Sequence, residues 1–359
     1  MTKKIRILIA EDSATVRGRL VEILRNDPDF EVVGEAEDGK RAIELCSRMR
    51  PDVITMDMMM PLMSGLAATE YIMAHFPTPI LVVSASINRG ELFKIYEALA
   101  AGAVDVLEKP TGLEAGGTWE RRFVATLKRV ARIRVITHPR ARLAALTRRA
   151  PTTEKYTGIA ALAQRAYRLV AIGASTGGPG AVLEVLRALP SEFRLPILLV
   201  LHISEPFGAA FADWLDGQTG RAVSHARDGM PLAEVTGRVV VAPGTHHLVV
   251  RDRRLWLTQD AERHSCRPSV DVLFESVAAE YGPEAIACLL TGMGRDGALG
   301  LLKVRQAGGF TIAQDEATSV VYGMPREAVS LGAAAEVLRL GEIGTRLGVL
   351  QRAPAEARA

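Results

Sequence analysis

Residues Arg168-Leu-Val-Ala-Ile-Gly-Ala-Ser175-Thr-Gly-Gly-Pro-Gly180 hold a short apolar run that stops at a serine set among glycines. The run from Leu169 to Ala174 is brief and bounded by turn residues, which reads as a buried strand. Gly173-Ala-Ser-Thr-Gly177 fits G-x-S-x-G, in which small neighbours permit a sharp strand-to-helix turn. An Oγ on such a turn points into a crevice, and the first N–H groups of the following helix can face a developing oxyanion. Glycine-rich turns also serve packing and phosphate binding, so the turn alone leaves three readings open. A Walker loop is disfavoured because no Gly-Lys-Ser/Thr follows, and a dinucleotide fingerprint because G-x-G-x-x-G is absent.

A serine nucleophile needs a histidine base and a carboxylate that orients it. His202 ends Leu195-Pro-Ile-Leu-Leu-Val-Leu201, the next strongly apolar run after a helix-like segment from Gly180 to Leu189. A third run, Ala285 to Leu290, leads into Thr-Gly-Met-Gly-Arg-Asp296-Gly. Ser175, His202 and Asp296 thus fall at the carboxyl ends of strands, where open α/β sheets place their ligand crevice. The other histidines are placed less well. His75 and His138 lie outside this half, His225 lacks a comparable position, and His246, His247 and His264 sit in polar, turn-like contexts. The chain order Ser, His, Asp also excludes the ordinary α/β-hydrolase arrangement, which runs Ser, acid, His.

The first third alternates apolar runs at Ile5–Ala10, Glu31–Ala36, Val53–Met56, Ile80–Val83 and Val104–Leu107 with amphipathic stretches. Five βα units imply a doubly wound parallel sheet. Glu11-Asp12, Asp57, Ser84 and Lys109-Pro110 follow the first, third, fourth and fifth runs. Clustered carboxylates repel unless a cation compensates them, and a cage of hard oxygen ligands suits Mg²⁺. Asp57 is then placed to act as a nucleophile toward a phosphoryl group, with Ser84 to hydrogen-bond the product and Lys109 to pair with it.

With these residues in view, residues 5–110 resemble a two-component receiver domain, and residues 168–340 resemble the catalytic domain of the chemotaxis protein-glutamate methylesterases, the CheB family. The matching blocks are Ile172-Gly-Ala-Ser-Thr-Gly-Gly-Pro179, Arg267-Pro-Ser-Val-Asp-Val-Leu-Phe274, Leu289-Leu-Thr-Gly-Met-Gly-Arg-Asp-Gly297, Ala313-Gln-Asp-Glu-Ala-Thr-Ser319 and Tyr322-Gly-Met-Pro-Arg-Glu-Ala328. The resemblance implies a Ser175, His202 and Asp296 triad, with Thr176 beside the nucleophile and the Met293 backbone in the oxyanion hole. It also implies that Asp57 is the phospho-acceptor, with Glu11 and Asp12 at the Mg²⁺ site.

The expected architecture is α/β in two doubly wound domains. These are a receiver with a five-stranded parallel sheet over residues 1–134, and a three-layer methylesterase domain with a mostly parallel sheet over 166–350. A basic linker, 135–165, joins them. The expected activity is hydrolysis of glutamate γ-methyl esters on methyl-accepting chemoreceptors, releasing methanol and activated when a histidine kinase phosphorylates the receiver. Glutamine deamidation at the same site is a further expectation. Mg²⁺ is expected for phosphorylation and no cofactor for ester hydrolysis. The rival readings are a response regulator whose second domain only binds a partner, and a DNA-binding regulator. The second lacks a recognition-helix module after the linker.

Departures from the family pattern accompany the matches. Ile203-Ser-Glu-Pro-Phe-Gly208 follows the histidine where relatives carry a Pro-x-x-Phe-Thr-like segment, and Cys266 stands where relatives often have histidine. In the receiver, Met58-Met-Met-Pro61 lacks a common acidic residue, and Ser64 replaces a usual aspartate before Gly65.

Bulk properties fit a monomeric cytoplasmic protein. The length of 359 residues suggests about two domains. The N-terminal apolar run meets Glu11-Asp12 at once, so it reads as a strand rather than a signal peptide, and no run reaches the ~18 residues of a membrane span. Cys46, Cys266 and Cys288 form no C-x-x-C pair, consistent with reduced thiols. Between Arg121 and Ala150 stand ten Arg or Lys and no acid, against a chain total of +3, which leaves −7 for the rest. This reads as a solvated helix end and tether, with attraction to an acidic partner as the functional alternative. Nucleic acid is disfavoured because no stacking aromatics accompany the charges.

Overall fold

The first unit is built on five strands: β1 (Ile5–Ala10), β2 (Phe30–Ala36), β3 (Val53–Met56), β4 (Ile80–Ser84) and β5 (Asp105–Glu108). They pair in parallel in the order β2-β1-β3-β4-β5. This computed structural model describes residues 3–85, 88–110, 117–133, 135, 166–203 and 207–351. The chain divides into the units Met1–Arg148 and Arg149–Ala359.

Helices α1 (Ala14–Arg25), α2 (Gly39–Met49), α3 (Gly65–His75), α4 (Arg89–Ala100) and α5 (Thr118–Val130) follow the strands in turn. Ser13, Asp38, Ser64 and Asn88 cap the first four, each side chain accepting a first-turn N–H. Ser64 therefore keeps the capping role that an aspartate would have had. Strand order reverses between β1 and β3, and this switch point opens a crevice at their carboxyl ends. Glu11-Asp12 and Asp57 stand at that opening. Within the basic stretch, Lys128 of α5 pairs with Asp27 at 2.9 Å and Asp29 at 2.6 Å, and Arg129 pairs with Asp105 at 3.1 Å. The expected tether, from residue 136 on, lies outside the described residues.

The second unit runs β6 (Leu169–Ala174), α6 (Gly178–Ala188), β7 (Ile197–Leu201), α7 (Phe207–Thr219), β8 (Val223–His225), β9 (Met230–Pro231), β10 (Val239–Val241), β11 (His247–Arg251) and β12 (Arg254–Thr258). It continues with α8 (Val270–Tyr281), β13 (Ala285–Leu289), α9 (Ala298–Gln306), β14 (Phe310–Gln314), α10 (Met324–Ser330), β15 (Glu336–Leu338) and α11 (Leu340–Gln351). Seven strands form one sheet in the order β15-β14-β13-β6-β7-β10-β8, and every pairing in it is parallel.

Strands β6, β7 and β13 are buried at every residue, which is why they read as unbroken apolar runs rather than alternating ones. From β6 the chain steps one way to β7 and later the other way from β13 to β14 and β15. Right-handed crossovers then put the two sets of helices on opposite faces, giving three layers. The reversal between β6 and β13 is the second switch point. The antiparallel strands were not anticipated: β11, β12 and β9 form a separate three-stranded sheet whose Leu248, Val250 and Leu255 enter the core. Helix α6 also begins two residues earlier than the glycines suggested, with Pro179 in its first turn. Among the described residues, no helix is long and apolar enough to cross a membrane.

Candidate active site

Register sets the second site. Ala174 of β6 pairs with Leu201 of β7, and Gly173 pairs with Leu289 of β13, so the chain leaves three adjacent strands at one level. Ser175 follows β6, His202 follows β7, and the β13–α9 loop carries Asp296. The serine turn is a tight one. Gly177 has φ of +76°, and a Cβ added at Gly292 would lie 2.8 Å from the Ser175 Cβ. Thr291 ties this turn to the loop after β13: its carbonyl accepts from the Ser175 N–H at 3.0 Å, and its Oγ donates to the Thr176 carbonyl at 2.9 Å.

His202 and Asp296 are joined at 2.9 Å, Nε2 to Oδ2, across 94 residues of sequence. Asp296 is buried, and its two oxygens are fully engaged. Oδ2 also accepts from the Val270 N–H at 2.7 Å, while Oδ1 accepts from the Ser269 hydroxyl at 2.7 Å and the Asp271 N–H at 3.1 Å. The carboxylate therefore sits on the N-terminus of α8, where unpaired N–H groups favour an anion. Burial pushes the Asp296 carboxyl up, but the bonds from His202, Ser269 and Val270 outweigh it and hold it below the usual range. Burial likewise pushes His202 down, and its bonds to Asp296 and Cys266 overcome that and carry it up to about 9.

Because Asp296 takes Nε2, the nitrogen left to handle a serine proton is Nδ1. The described residues place Cys266 Sγ at 3.8 Å from that Nδ1 and no hydrogen bond between Ser175 and His202. The Thr176 and Met293 N–H groups have no partner among the described residues, whereas the Ser175 N–H is taken. A proton acceptor, a hydroxyl on a sharp turn and two free N–H donors make an arrangement competent for acyl transfer.

Sequence reading missed the shell behind the His202–Asp296 pair. His247 looked like a turn residue, yet it is fully buried on β11 and its Nδ1 accepts from the Ser269 N–H at 3.1 Å. His264, set aside for the same reason, bonds Asp271 Oδ2 at 3.0 Å. Asp271 is fully buried; burial first, and then the charge of Asp296, push it up against bonds from Gly300 and His264. The available signal was the Arg267–Phe274 block, in which Ser269 is an N-cap and Asp271 an acid among the apolar Val270, Val272, Leu273 and Phe274.

In the first unit, Lys109 Nζ lies 2.8 Å from Glu11 Oε2 and 3.0 Å from Asp57 Oδ2. Burial pushes Lys109 down, and both acids more than restore it, so it stays above its ordinary value. Glu11 is driven up by burial and by Asp57, against the bond from Lys109. Ligand oxygens of Glu11, Asp12 and Asp57 lie within 4.8 Å of one another, an all-oxygen donor set that fits a hard divalent cation. Ser84 Oγ is buried at the same edge with no hydrogen-bond partner among the described residues. His202–Cys266–Asp296 and His264–Asp271–Asp296 are equally close groups, but Asp296 spends its oxygens on N–H and O–H donors, which marks them as hydrogen-bond clusters.

Two family models match: the CheB methylesterase model over residues 170–347 and the response regulator receiver domain model over residues 7–116. A Myxococcus xanthus protein named protein-glutamate methylesterase/protein-glutamine glutaminase 4 is 42% identical over 346 residues, covering 96% of each chain. The chain belongs to the CheB methylesterase family. A second CheB-family relative, protein-glutamate methylesterase/protein-glutamine glutaminase 2 of Anaeromyxobacter dehalogenans, is 42% identical and covers 98% of each chain. The crystal structure of the Thermotoga maritima CheB methylesterase catalytic domain is similar at 36% identity and a TM-score of 0.49, over 52% of this chain and 99% of that one. The CheB family thus accounts for both units, an enzyme unit and a receiver.

Proposed function

We propose that this CheB-family enzyme hydrolyses glutamate γ-methyl esters on chemoreceptors, and that Ser175, His202 and Asp296 carry the reaction. The observation that carries the reading is the Asp296–His202 pair at the strand edge beside Ser175, with Nε2 committed and Nδ1 left for proton transfer. Neutral His202 takes the Ser175 proton at Nδ1 as Oγ attacks the ester carbonyl. The N–H groups of Thr176 and Met293 hold the oxyanion. His202 then returns the proton to the departing methoxy oxygen, methanol leaves, and water hydrolyses the glutamyl-serine ester with His202 again as base. Asp296 stabilises the imidazolium in both steps. The relatives' glutaminase name extends the reading to receptor glutamines, where ammonia is the group His202 must protonate.

The receiver is the proposed control. Asp57 accepts a phosphoryl group from a histidine kinase, Ser84 donates to the new phosphoryl oxygens, and Lys109 pairs with them. Glu11, Asp12 and Asp57 fit Mg²⁺, which when bound neutralises charge on the transferring phosphoryl group. The proposed reaction is a cytoplasmic one, on the kinase and receptor segments exposed there. The test is methanol release from methylated receptor by the full chain, with and without a small phosphodonor and Mg²⁺. Release should rise with donor and Mg²⁺ together. No release under any condition would overturn the esterase assignment, and release indifferent to the donor would overturn the control.

A further inference from the structure

Cys266 stands on a tight turn that brings its sulfur to the His202 ring. Arg263 and Cys266 exchange backbone bonds, 3.1 Å from the Arg263 N–H and 2.9 Å from the Cys266 N–H. The two residues between them, His264 and Ser265, have φ of +52° and +59°. Left-handed backbone at both central positions belongs to the primed hairpin turns, which usually recruit Asn-Gly. Side chains hold this costlier version in place. His264 is tied to Asp271 at 3.0 Å and accepts from Arg295 Nε at 3.3 Å, and Arg263 pairs with Glu275 at 2.6 Å. The thiol hydrogen is directed to the His264 carbonyl at 3.4 Å, which leaves the sulfur lone pairs toward His202 Nδ1 at 3.8 Å.

We propose that Cys266 is a positioning residue for the esterase: its sulfur accepts from the Nδ1–H of the resting His202 imidazolium and holds the ring in place, and loss of that proton frees the Nδ1 lone pair for Ser175 Oγ when ester is bound. The proposal rests on the reading of His202 as the base. Asp296 fixes one edge of the imidazole and Cys266 the other, so the ring is clamped along the axis through which the proton must pass. Among the described residues, only these two side chains bond the ring. The other charged or titratable groups of the cluster, Arg263, His264, Asp271 and Arg295, act behind Asp296 or the turn. A sulfur lone pair at Nδ1 favours the N–H form of that nitrogen, so it also raises the proton affinity of the base, in the direction found for His202.

The experiment uses the full chain with Cys266→Ala and Cys266→Ser, and has two readouts. The first is the pH profile of kcat/KM for methanol release. The second is the ¹⁵N NMR titration of His202 in a Ser175→Ala background, which needs no turnover. Loss of the sulfur should move the His202 titration and the rising, base-dependent limb of kcat/KM down together by roughly 0.5–1 pH unit, the scale of one modest hydrogen bond. Cys266→Ser, which keeps a polar atom at shorter reach, should restore part of the shift. An unmoved His202 titration in both variants overturns the proposal, as does a rate loss that is equal at every pH. If Cys266→Ala fails to fold, Cys266→Ser decides by the same criteria. A His202 that titrates as expected in a chain releasing no methanol breaks the esterase reading instead and leaves the role of the sulfur legible in the spectrum.

Discussion

At the carboxyl edge of the first sheet, Glu11 and Asp57 share one lysine, with the exposed Asp12 beside them. At the carboxyl edge of the second, Asp296 faces one histidine and is ringed by the hydroxyl and N–H donors of the α8 N-terminus. Both edges open at a switch point in strand order, so the architecture supplies the same crevice twice. The difference lies in how negative charge is compensated. In the receiver it is left incomplete, and Glu11 is driven above its ordinary range. In the esterase unit it is complete, and Asp296 is held below that range. An undercompensated edge suits the cation and phosphoryl group proposed for it. A compensated one holds a base in a fixed orientation.

The sharpest way to break this comparison is to remove the proposed nucleophile from each edge. Ser175→Ala should lower ester hydrolysis by about a millionfold, the scale seen when a triad serine is lost, while phosphodonor labelling of the receiver persists. Asp57→Asn should do the reverse, abolishing labelling and the donor-dependent rise in methanol release. If either change silenced both readouts in a folded protein, the two edges would not be separate sites. Acidity tests the compensated edge alone. In the proposed reaction only neutral His202 can accept the serine proton, and its imidazolium persists to about 9, so kcat/KM should climb from pH 7 toward that value. The climb should be roughly tenfold per unit. A profile flat from pH 7 upward would contradict the Asp296–His202 pairing. The smallest effect concerns the capped helix. Ser269 accepts from the Val272 N–H and donates to Asp296, so Ser269→Ala should cost about 1–2 kcal/mol of stability, read as a lower thermal midpoint.

Much of both edges was legible along the chain. Apolar runs ending in Ser175, His202, Asp57 and Lys109 marked strand ends, because a fully buried parallel strand must be continuously apolar and its end is where polarity returns. The antiparallel trio β9, β11 and β12 escaped notice because its strands are short and partly exposed, so neither alternation nor an unbroken run announces them. His247 and His264 escaped for another reason. Each sits among polar neighbours in sequence, and only the approach of α8 turns one into a buried acceptor and the other into the partner of Asp271.

By itself, then, the sequence determined two domains of βα units and the residue types at their edges, since strand, turn and cap preferences are local and survive without knowledge of what packs nearby. Tertiary structure decided the chemistry of those residues. Which imidazole nitrogen is free, which carboxyl is saturated and which thiol lies against the base depend on contacts spanning 94 residues from His202 to Asp296 and 64 from His202 to Cys266. Such contacts are set by the packing of α8 and its preceding turn against the sheet, and no local pattern encodes them.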